Sequence, residues 1–391
     1  MHRAKPVLGA LVTAALLACV ARRRRAAAMR RLTYRLPKVE LHAHLHGCAR
    51  PATVVDLAPA DVQASRATVQ LLERGGRSLA ECFAIFDVLH RAVSSRAAVS
   101  RVTREALVDF ASDGVWYLEL RTTPRPLSDA DAEGYVRTVL AEMSAPRLSE
   151  DCPMIARLLL SIDRAGTAAE ADSTVDLAIR LALESELVVG IDLSGNPTKG
   201  DVAALLPALY RARAGGLRIS VHCGEVPKDA EVDAIFAFQP DRLGHALHLA
   251  GRHVDALSAQ RSPPIEICPT SNRLTLGISS LRHHPTLRTW LARGHPISIS
   301  TDDPGVFSTS ASEELLAVAM AYGLSGRRVA ALAAAPLDHA FGLGRDQQAV
   351  QAMRRQFREA GERALVEYYN DCGPLGRVCD IVLGRVGLYI S

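Results

Sequence analysis

Eight short runs rich in Val, Ile and Leu alternate with longer Ala- and Leu-rich segments of helical periodicity, and this alternation constrains the fold more than any other feature of the sequence. Several of the runs are apolar almost throughout, which is typical of parallel strands that are covered by helices on both faces. Eight successive strand–helix units predict an α/β fold, a (β/α)8 TIM barrel. The predicted strands span residues 38–43, 115–121, 155–162, 187–193, 217–222, 242–245, 265–268 and 297–301.

A doubly wound open sheet is the alternative that the same alternation allows. The sequence contains neither G-x-G-x-x-G nor G-x-x-x-x-G-K-[ST], the glycine-rich motifs with which such sheets commonly bind phosphates. The segment GNPTKG at residues 195–200 is only a weak match to a phosphate-binding loop. We therefore favour the barrel.

Two helical regions are predicted in addition to the eight units. The longest insertion follows the first strand, at about residues 48–110, and its segment 81–93 carries apolar residues at spacings of three and four. We expect this insertion to cover the substrate site, and a helical C-terminal extension to follow the last strand. The domain prediction is accordingly an N-terminal extension at 1–35, a barrel at 36–370 and an unassigned tail at 371–391.

The first 39 residues differ from the rest, because they hold ten Lys and Arg residues and no Asp or Glu. Subtracting these ten charges from the net charge of +4 leaves −6 for residues 40–391. The apolar run at 6–20 is short for a membrane span and is flanked by basic residues, as in a signal anchor or a transit peptide. The other interpretation is a start codon assigned upstream of a true start at Met29. We expect a cytoplasmic location, or attachment to an organelle or membrane if residues 1–28 act as a targeting segment.

The composition of the body excludes several classes of protein. A mildly acidic body with an aromatic content of 5% gives no basis for a nucleic-acid-binding surface. The eight cysteines are scattered and none forms C-x-x-C, which favours reduced thiols over disulfides or a zinc ribbon. No later apolar run approaches the length of a membrane span. We therefore expect a monomer that binds a small molecule, with neither nucleic acid nor membrane as a partner of the catalytic body.

Histidines and carboxylates occur where several predicted strands end, which is the edge at which a barrel builds its active site. His42 and His44 are two residues apart, so their imidazoles share one face of the first strand. His222 and His245 end the fifth and sixth strands, and Asp302 follows the eighth. Three imidazoles and a carboxylate suit zinc, with an open position for a water whose pKa the ion lowers. We predict one zinc ion per chain, held by His42, His44, His222 and Asp302.

Seven motifs follow one another in order along the predicted barrel: LPKVELHAHLHG (36–47), YLELRTTPR (117–125), GIDLSGNP (190–197), VHCGE (221–225), RLGHA (242–246), CPTSN (268–272) and STDDP (300–304). In these motifs the chain resembles the adenosine deaminase family of metal-dependent hydrolases. The TTPR and CGE forms are most similar to its adenosine deaminase-like branch, whose members deaminate N6-methyl-AMP. The resemblance covers residues 36 to about 370 and leaves out both ends of the chain.

The resemblance implies the same four zinc ligands and adds catalytic and substrate-binding roles. Glu225 is implied as the proton donor beside purine N1, and His245 as the residue that orients or deprotonates the attacking water. Asp303 is implied as the acceptor that contacts the purine, and Gly195 as the residue that approaches the base closely. The further implied substrate contacts, in addition to His44, are His46, His90, Thr122, Thr123, Pro124, Arg125 and Asp163.

His46 departs from the family pattern, in which an Asp or Asn at this position contacts the sugar. We expect His46 to lie on the same strand face as His42 and His44. Its imidazole can keep the hydrogen-bonding role towards the ribose, and competition for the metal ion is the alternative.

The activity that the resemblance implies is zinc-dependent hydrolytic deamination of a 6-amino or 6-alkylamino purine nucleotide, with N6-methyl-AMP giving IMP and methylamine. Adenosine deaminase activity on the nucleoside, giving inosine and ammonia, is the alternative. Arg125 favours the nucleotide, because a guanidinium can bind a phosphate through two hydrogen bonds. A catalytically inactive binding protein is disfavoured because the metal ligands and Glu225 are all present. Another hydrolase of the same superfamily is disfavoured because no Lys ends a later strand.

Overall fold

The computed structural model of the chain describes residues 4–59, 79–145, 154–260, 262–343 and 347–386. Within them, eight parallel strands form one sheet in which each strand pairs with the next along the chain. The predicted (β/α)8 barrel is confirmed, and each strand ends within two residues of its predicted bounds. The strands are β1 (Lys38–His44), β2 (Val115–Thr122), β3 (Ile155–Asp163), β4 (Val188–Ser194), β5 (Arg218–Cys223), β6 (Arg242–His245), β7 (Ile265–Ile267) and β8 (Ile297–Ile299).

The last and first strands of the barrel are joined by a residue that lies beyond the end of β8. Asp302 forms an isolated parallel bridge with Ala43 of β1. Its backbone N–H donates to the carbonyl of His42, and its carbonyl accepts from the N–H of His44, both at 2.9 Å. Asp302 has a φ of 65°, a left-handed conformation that is uncommon for a residue with a side chain. These hydrogen bonds therefore hold a strained residue where the sheet closes.

Several helices begin directly after a residue whose side chain caps the first turn. Ser95, Asp131 and Thr167 each accept a hydrogen bond from a backbone N–H of the first turn that follows them. The helices are α1 (Ala4–Arg35), α2 (Pro51–Leu57), α3 (Leu79–Ala92), α4 (Arg96–Ser112), α5 (Ala132–Met143), α6 (Ala168–Glu184), α7 (Val202–Ala214), α8 (Asp229–Phe238), α9 (Gly251–Gln260), α10 (Pro269–Thr275), α11 (Leu287–Arg293), α12 (Pro304–Phe307), α13 (Ala311–Tyr322), α14 (Gly326–Ala334) and α15 (Gln347–Val386).

The insertion predicted after β1 contains α2, α3 and α4, and residues 60–78 of it lie outside the described chain. α3 includes the segment whose apolar spacing predicts a helix, and it contributes Phe86, Asp87 and His90 to the wall of a cavity at the end of the barrel. The described part of the insertion therefore borders the site that it was expected to cover.

The N-terminal helix α1 packs on the C-terminal extension, where it contacts α13, α14 and α15. Met29 and Leu32 of α1 are buried in the core. Arg25 is buried as well, and its Nε lies 3.3 Å from Oδ1 of the buried Asp380 in α15. From Arg25 onward, α1 is therefore part of the folded body.

The C-terminal helix α15 extends beyond residue 370, so the segment without a sequence assignment is helical as far as Val386. Gly373 interrupts the helical geometry with a φ of 65°, directly before Pro374. Among the residues described, no helix is both long enough and apolar enough to cross a bilayer.

Candidate active site

A cavity of about 540 Å³ opens where the strands end, at residues such as His44, Thr122 and Ser194. Its volume is in the range of small-molecule binding sites. Of the predicted site residues, the fully buried His42 and the half-buried Pro124 do not line it. The predicted residues that do are His44, His46, His90, Thr122, Thr123, Arg125, Asp163, Gly195, His222, Glu225, His245, Asp302 and Asp303.

Five titratable side chains form a cluster at one end of this cavity. His42, His222, His245 and Asp302 each place one ligand atom within 4.8 Å of the others. His44 Nε2 lies 3.2 Å from His222 Nε2 and 3.4 Å from Asp302 Oδ1. His42 Nε2 is 3.3 Å from the same Oδ1. Two ligand atoms on one tetrahedral zinc ion are roughly 3.3 Å apart. The spacing among the four predicted ligands therefore fits a shared metal ion.

The imidazoles of His42 and His222 are oriented by carboxylates. His42 Nδ1 lies 2.7 Å from Oε2 of Glu266, and His222 Nδ1 lies 3.2 Å from Oδ1 of Asp192. A carboxylate at Nδ1 keeps the ring proton there and leaves the lone pair of Nε2 free for a metal ion. His42 Nε2 is buried and has no hydrogen-bond partner among the described residues. The residues present therefore fit a bound metal.

Opposing effects set the charge of this cluster. Burial and the guanidinium of Arg121 act to lower the pKa of His42. Interactions with the carboxylates of Asp302 and Glu266 outweigh both and raise that pKa to about 9, so a metal ion would displace a proton from this ring when it binds. Burial acts to raise the pKa of Asp302, yet the nearby His245 and His42 hold it well below its usual range. The cluster therefore contains an ionised carboxylate.

One buried arginine bridges the two carboxylates that orient the imidazoles. Arg121 Nη1 donates to Oδ1 of Asp192 at 2.8 Å. Its Nη2 donates to Oε2 of Glu266 at 2.9 Å and to the carbonyl of Leu41 at 2.6 Å. These three charged residues were not predicted from the sequence. The signal that could have found them is a charged residue inside a buried strand, in β2, β4 and β7 respectively.

Glu225 lies in the turn that follows β5, beside the cluster. Gly224 precedes it with a φ of 61°, which lets the chain leave the strand direction. Glu225 Oε2 is 3.8 Å from His245 Nε2, and Oε1 is buried without a hydrogen-bond partner in the described chain. Burial raises the pKa of Glu225. A carboxyl group that holds its proton more tightly is suited to donate that proton to a bound ligand.

Asp303 is a second buried carboxyl group that faces the cavity. Its Oδ1 has no hydrogen-bond partner among the described residues. Burial, followed by the charges of Asp302 and Glu225, raises the pKa of Asp303 well above its usual range. A Cβ atom on Gly47 would lie 1.8 Å from this Oδ1, so only glycine fits there. A carboxyl group that keeps its proton has an O–H to donate to a ligand, in addition to the acceptor oxygen that the resemblance implies.

The strand position predicted for His46 is wrong. β1 ends at His44, and Leu45 has helical angles of φ −54° and ψ −47° that begin a 3-10 turn. The buried ring of His46 instead lies 5.3 Å from that of His90, and its Nε2 is 3.3 Å from the hydroxyl of Tyr135. Burial lowers the pKa of His46 well below its usual range. His46 is therefore a neutral residue of the cavity wall.

Arg125 lines the cavity and also holds the end of α3. Its Nη2 donates to the carbonyls of His90 at 3.3 Å and Val93 at 2.8 Å. Burial lowers the pKa of Arg125, and a guanidinium still carries its charge in proteins. Lys199, in the loop after β4, is another cation of the cavity wall, and it was not predicted as a site residue from the sequence.

Gly195 leaves one wall of the cavity without a side chain. Its φ is 105°, and a Cβ there would lie 2.4 Å from Oδ1 of Asp163. Any other residue would therefore be strained and would displace Asp163. This agrees with the close approach to a ligand that the resemblance implies for Gly195.

Comparison with known proteins decides the family. The adenosine deaminase family model matches residues 37–352. This chain belongs to the adenosine deaminase family. The N6-mAMP deaminase of Arabidopsis thaliana is 39% identical over 339 residues, which cover 78% of this chain and 92% of that protein. The N6-methyl-AMP deaminase of Homo sapiens is 34% identical over 317 residues, which cover 78% and 89%.

A solved structure of a relative has the same fold. The crystal structure of Arabidopsis ADAL complexed with IMP matches with a TM-score of 0.77 at 37% identity, and the match covers 85% of this chain and 99% of that one. The resemblance stated from the motifs is thus confirmed, and the chain is a deaminase. The family is metal-dependent, and the His and Asp cluster can hold the metal ion.

Proposed function

We propose that this protein hydrolyses N6-methyl-AMP to IMP and methylamine, with one zinc ion as cofactor. The observation that carries the proposal is the cluster of imidazoles and Asp302, with the buried Glu225 beside it, at one end of a ligand-sized cavity. Similarity to proteins named N6-methyl-AMP deaminase, and to a structure complexed with IMP, supports a nucleotide substrate.

We assign the zinc ion to His42, His44, His222 and Asp302. Their donor types and their separations suit a tetrahedral zinc site. When bound, zinc lowers the pKa of a coordinated water towards neutrality. His245 stands outside this ligand set, and its Nε2 is 4.0 Å from Oδ2 of Asp302.

The chain's own residues bind the purine and manage its protons. In the reaction a water oxygen bonds to C6, the bond from C6 to the exocyclic nitrogen breaks, and methylamine leaves. Glu225 holds a proton that it can give to ring N1 as C6 is attacked. Asp303 presents an O–H to an acceptor on the ring. Gly195 leaves space for the flat base.

Arg125 and Lys199 are the two cationic side chains of the cavity wall that we assign to the 5′-phosphate. The two carbonyl contacts of Arg125 use Nη2 alone, and a guanidinium carries donors on three nitrogen atoms. A charge-assisted hydrogen bond to phosphate is about twice as strong as a neutral one. A nucleotide therefore gains binding energy here that a nucleoside does not.

The test is a comparison of N6-methyl-AMP, AMP and adenosine as substrates of the zinc-loaded protein. We expect the highest kcat/KM for N6-methyl-AMP and one zinc ion per chain by elemental analysis. A higher value for adenosine would identify a nucleoside deaminase instead. Zinc binding without turnover of any of the three would identify a binding protein. Asp302→Ala should lose the metal, whereas Asp303→Asn, the matched control, should keep it.

A further inference from the structure

The imidazole of His245 differs from the other histidines of the cluster in what holds its Nδ1 atom. We infer that His284 and Asn272 act as positioning residues that fix the ring proton of His245 on Nε2. His245 is then a hydrogen-bond donor at the atom that faces the cluster, and it is neither a metal ligand nor a proton acceptor at that atom.

Two backbone amides determine which nitrogen of His284 carries the ring proton. The N–H of Leu287 lies 3.0 Å from Nδ1 of His284, and the N–H of Thr286 lies 3.3 Å from the same atom. A backbone N–H can only donate, so Nδ1 of His284 is an acceptor. A neutral imidazole has one ring proton, which must then be on Nε2. Burial lowers the pKa of His284 to about 4, so the ring is neutral at physiological pH.

The proton on Nε2 of His284 determines the orientation of the side-chain amide of Asn272. His284 Nε2 lies 3.2 Å from Oδ1 of Asn272. Because this Nε2 carries the proton, the group that faces it has to be the amide oxygen. The amide nitrogen of Asn272 therefore points the other way, where it lies 3.0 Å from Nδ1 of His245. All three side chains are buried, so their pairing is set inside the protein.

The third step assigns the proton of His245. The amide nitrogen of Asn272 can only donate, so Nδ1 of His245 accepts and the ring proton is on Nε2. Nε2 of His245 lies 3.8 Å from Oε2 of Glu225 and 4.0 Å from Oδ2 of Asp302. There it can donate to an oxygen atom bound between them.

The hydrogen-bond partner at Nδ1 distinguishes His245 from His42 and His222. His42 and His222 have carboxylate oxygens at Nδ1, so their protons are at Nδ1 and their Nε2 lone pairs face the cluster. His245 has an amide N–H at Nδ1, so its lone pair faces away from the cluster. Similar rings therefore have opposite hydrogen-bonding properties at Nε2.

The same segment also supports the backbone at His245. His245 and Ala246 have φ values of 60° and 51°, two successive left-handed residues at the end of β6. The hydroxyl of Thr286 donates to the carbonyl of Ala246 at 3.2 Å. The segment that orients the ring through His284 thus also holds the strained turn from which the ring projects.

The test is to move the ring proton of His245 from Nε2 to Nδ1 with the substitution Asn272→Asp in the full-length, zinc-loaded protein. A carboxylate can only accept, so it would bond the N–H of His284 and draw the proton of His245 to Nδ1. Nitrogen NMR of ¹⁵N-histidine-labelled protein distinguishes the two neutral tautomers, and His245→Gln identifies the signals. We expect a proton on Nε2 in the wild type, a proton on Nδ1 in Asn272→Asp, and a loss of about 10²-fold or more in kcat with little change in KM.

Two further variants separate positioning from support of the fold. His284→Gln keeps a donor and an acceptor and should retain the wild-type tautomer and kcat. His284→Leu fills similar space but removes the hydrogen bond to Asn272. It should lower kcat while the zinc content and the circular dichroism spectrum stay unchanged. A wild-type spectrum with the proton on Nδ1 would overturn the inference, even if Asn272→Asp does not fold. So would a folded Asn272→Asp protein with wild-type kcat and an unchanged tautomer.

The measurement of kcat rests on the proposed function, whereas the NMR measurement of the His245 tautomer does not. If no purine were converted, the proposed function would fail while the tautomer of His245 could still be read. If N6-methyl-AMP were converted and the proton of His245 were on Nδ1, only the inference about Asn272 and His284 would fail.

Discussion

Replacing Arg121 with Met should weaken the metal site and destabilise the fold together. The change removes the hydrogen bonds to Asp192, Glu266 and the carbonyl of Leu41. Glu266 keeps a second cation, because Arg242 Nε lies 2.6 Å from its Oε1. The uncompensated charge therefore falls mainly on Asp192. Removing one partner of a buried ion pair costs about 3–5 kcal/mol, and we expect the free energy of unfolding to fall by about that amount.

The effect on the metal follows from what the two carboxylates orient. Glu266 accepts from His42 and Asp192 accepts from His222, so both imidazoles lose part of their support. Loss of a group that orients a metal ligand typically lowers metal affinity about 10–100-fold. Urea denaturation measures the free energy of unfolding, and competition with a chelator measures the Kd for zinc.

Arg25→Met is the matched control, because Arg25 is also buried and paired with a buried carboxylate, Asp380, but between the terminal helices. It should lower stability and leave the Kd for zinc unchanged. If Arg121→Met lost stability but bound zinc as tightly as the wild type, the reasoning about orientation would be refuted.

Three further changes test other parts of the site and the fold. Glu225→Gln should keep the zinc ion and lose at least about 10²-fold in kcat, measured by steady-state kinetics; near-wild-type turnover would mean that another group protonates the ring. Arg125→Ala should lower kcat/KM about 10–100-fold for N6-methyl-AMP and scarcely change it for adenosine, and equal losses would argue against a phosphate contact. Burial raises the pKa of Glu314 from 4.5 to about 7, so its ionisation opposes folding as the pH rises through this range. Glu314→Gln should therefore become more stable relative to the wild type, by up to about 3 kcal/mol, as urea denaturation is moved from pH ~4.5 to pH ~7.5; a difference independent of pH would contradict this.

The barrel could be predicted because parallel strands buried on both faces leave a strong signal of apolar runs with regular spacing. The cluster of His and Asp side chains could be predicted because its members lie at or just after strand ends, where the fold itself brings them together. His42 and His44, two residues apart on β1, needed only the alternation of a strand. The resemblance then supplied roles for residues in loops, such as Glu225, that spacing alone would not relate to the cluster.

Other parts of the site depend on contacts that local sequence does not encode. His46 follows the same two-residue spacing as His42 and His44, but the backbone turns at Leu45 and removes it from the strand. Arg121 shares β2 with another charged residue, Glu119, and its role follows only from the strands opposite it across the barrel.

The hydrogen bonds from His284 through Asn272 to His245 could not be predicted from the sequence, for a different reason. Asn272 lies in α10 and His284 in the segment before α11, and each is an ordinary polar residue until the direction of its hydrogen bonds is known. The packing of α1 on α15 is likewise a long-range contact, between a helix that the resemblance does not cover and one that extends beyond it.

Asp302 supplies a carboxylate to the predicted metal site and, through its backbone, the hydrogen bonds between the last strand and the first. Local opening of the sheet at this residue would therefore move a predicted metal ligand out of the site. We accordingly expect metal release and local unfolding to be linked equilibria. Free zinc at 100 times its Kd would stabilise the closed form by about 2.7 kcal/mol. Hydrogen exchange at the amides of His44 and Asp302 should consequently report metal occupancy, and it should accelerate on chelation before exchange elsewhere in the barrel does.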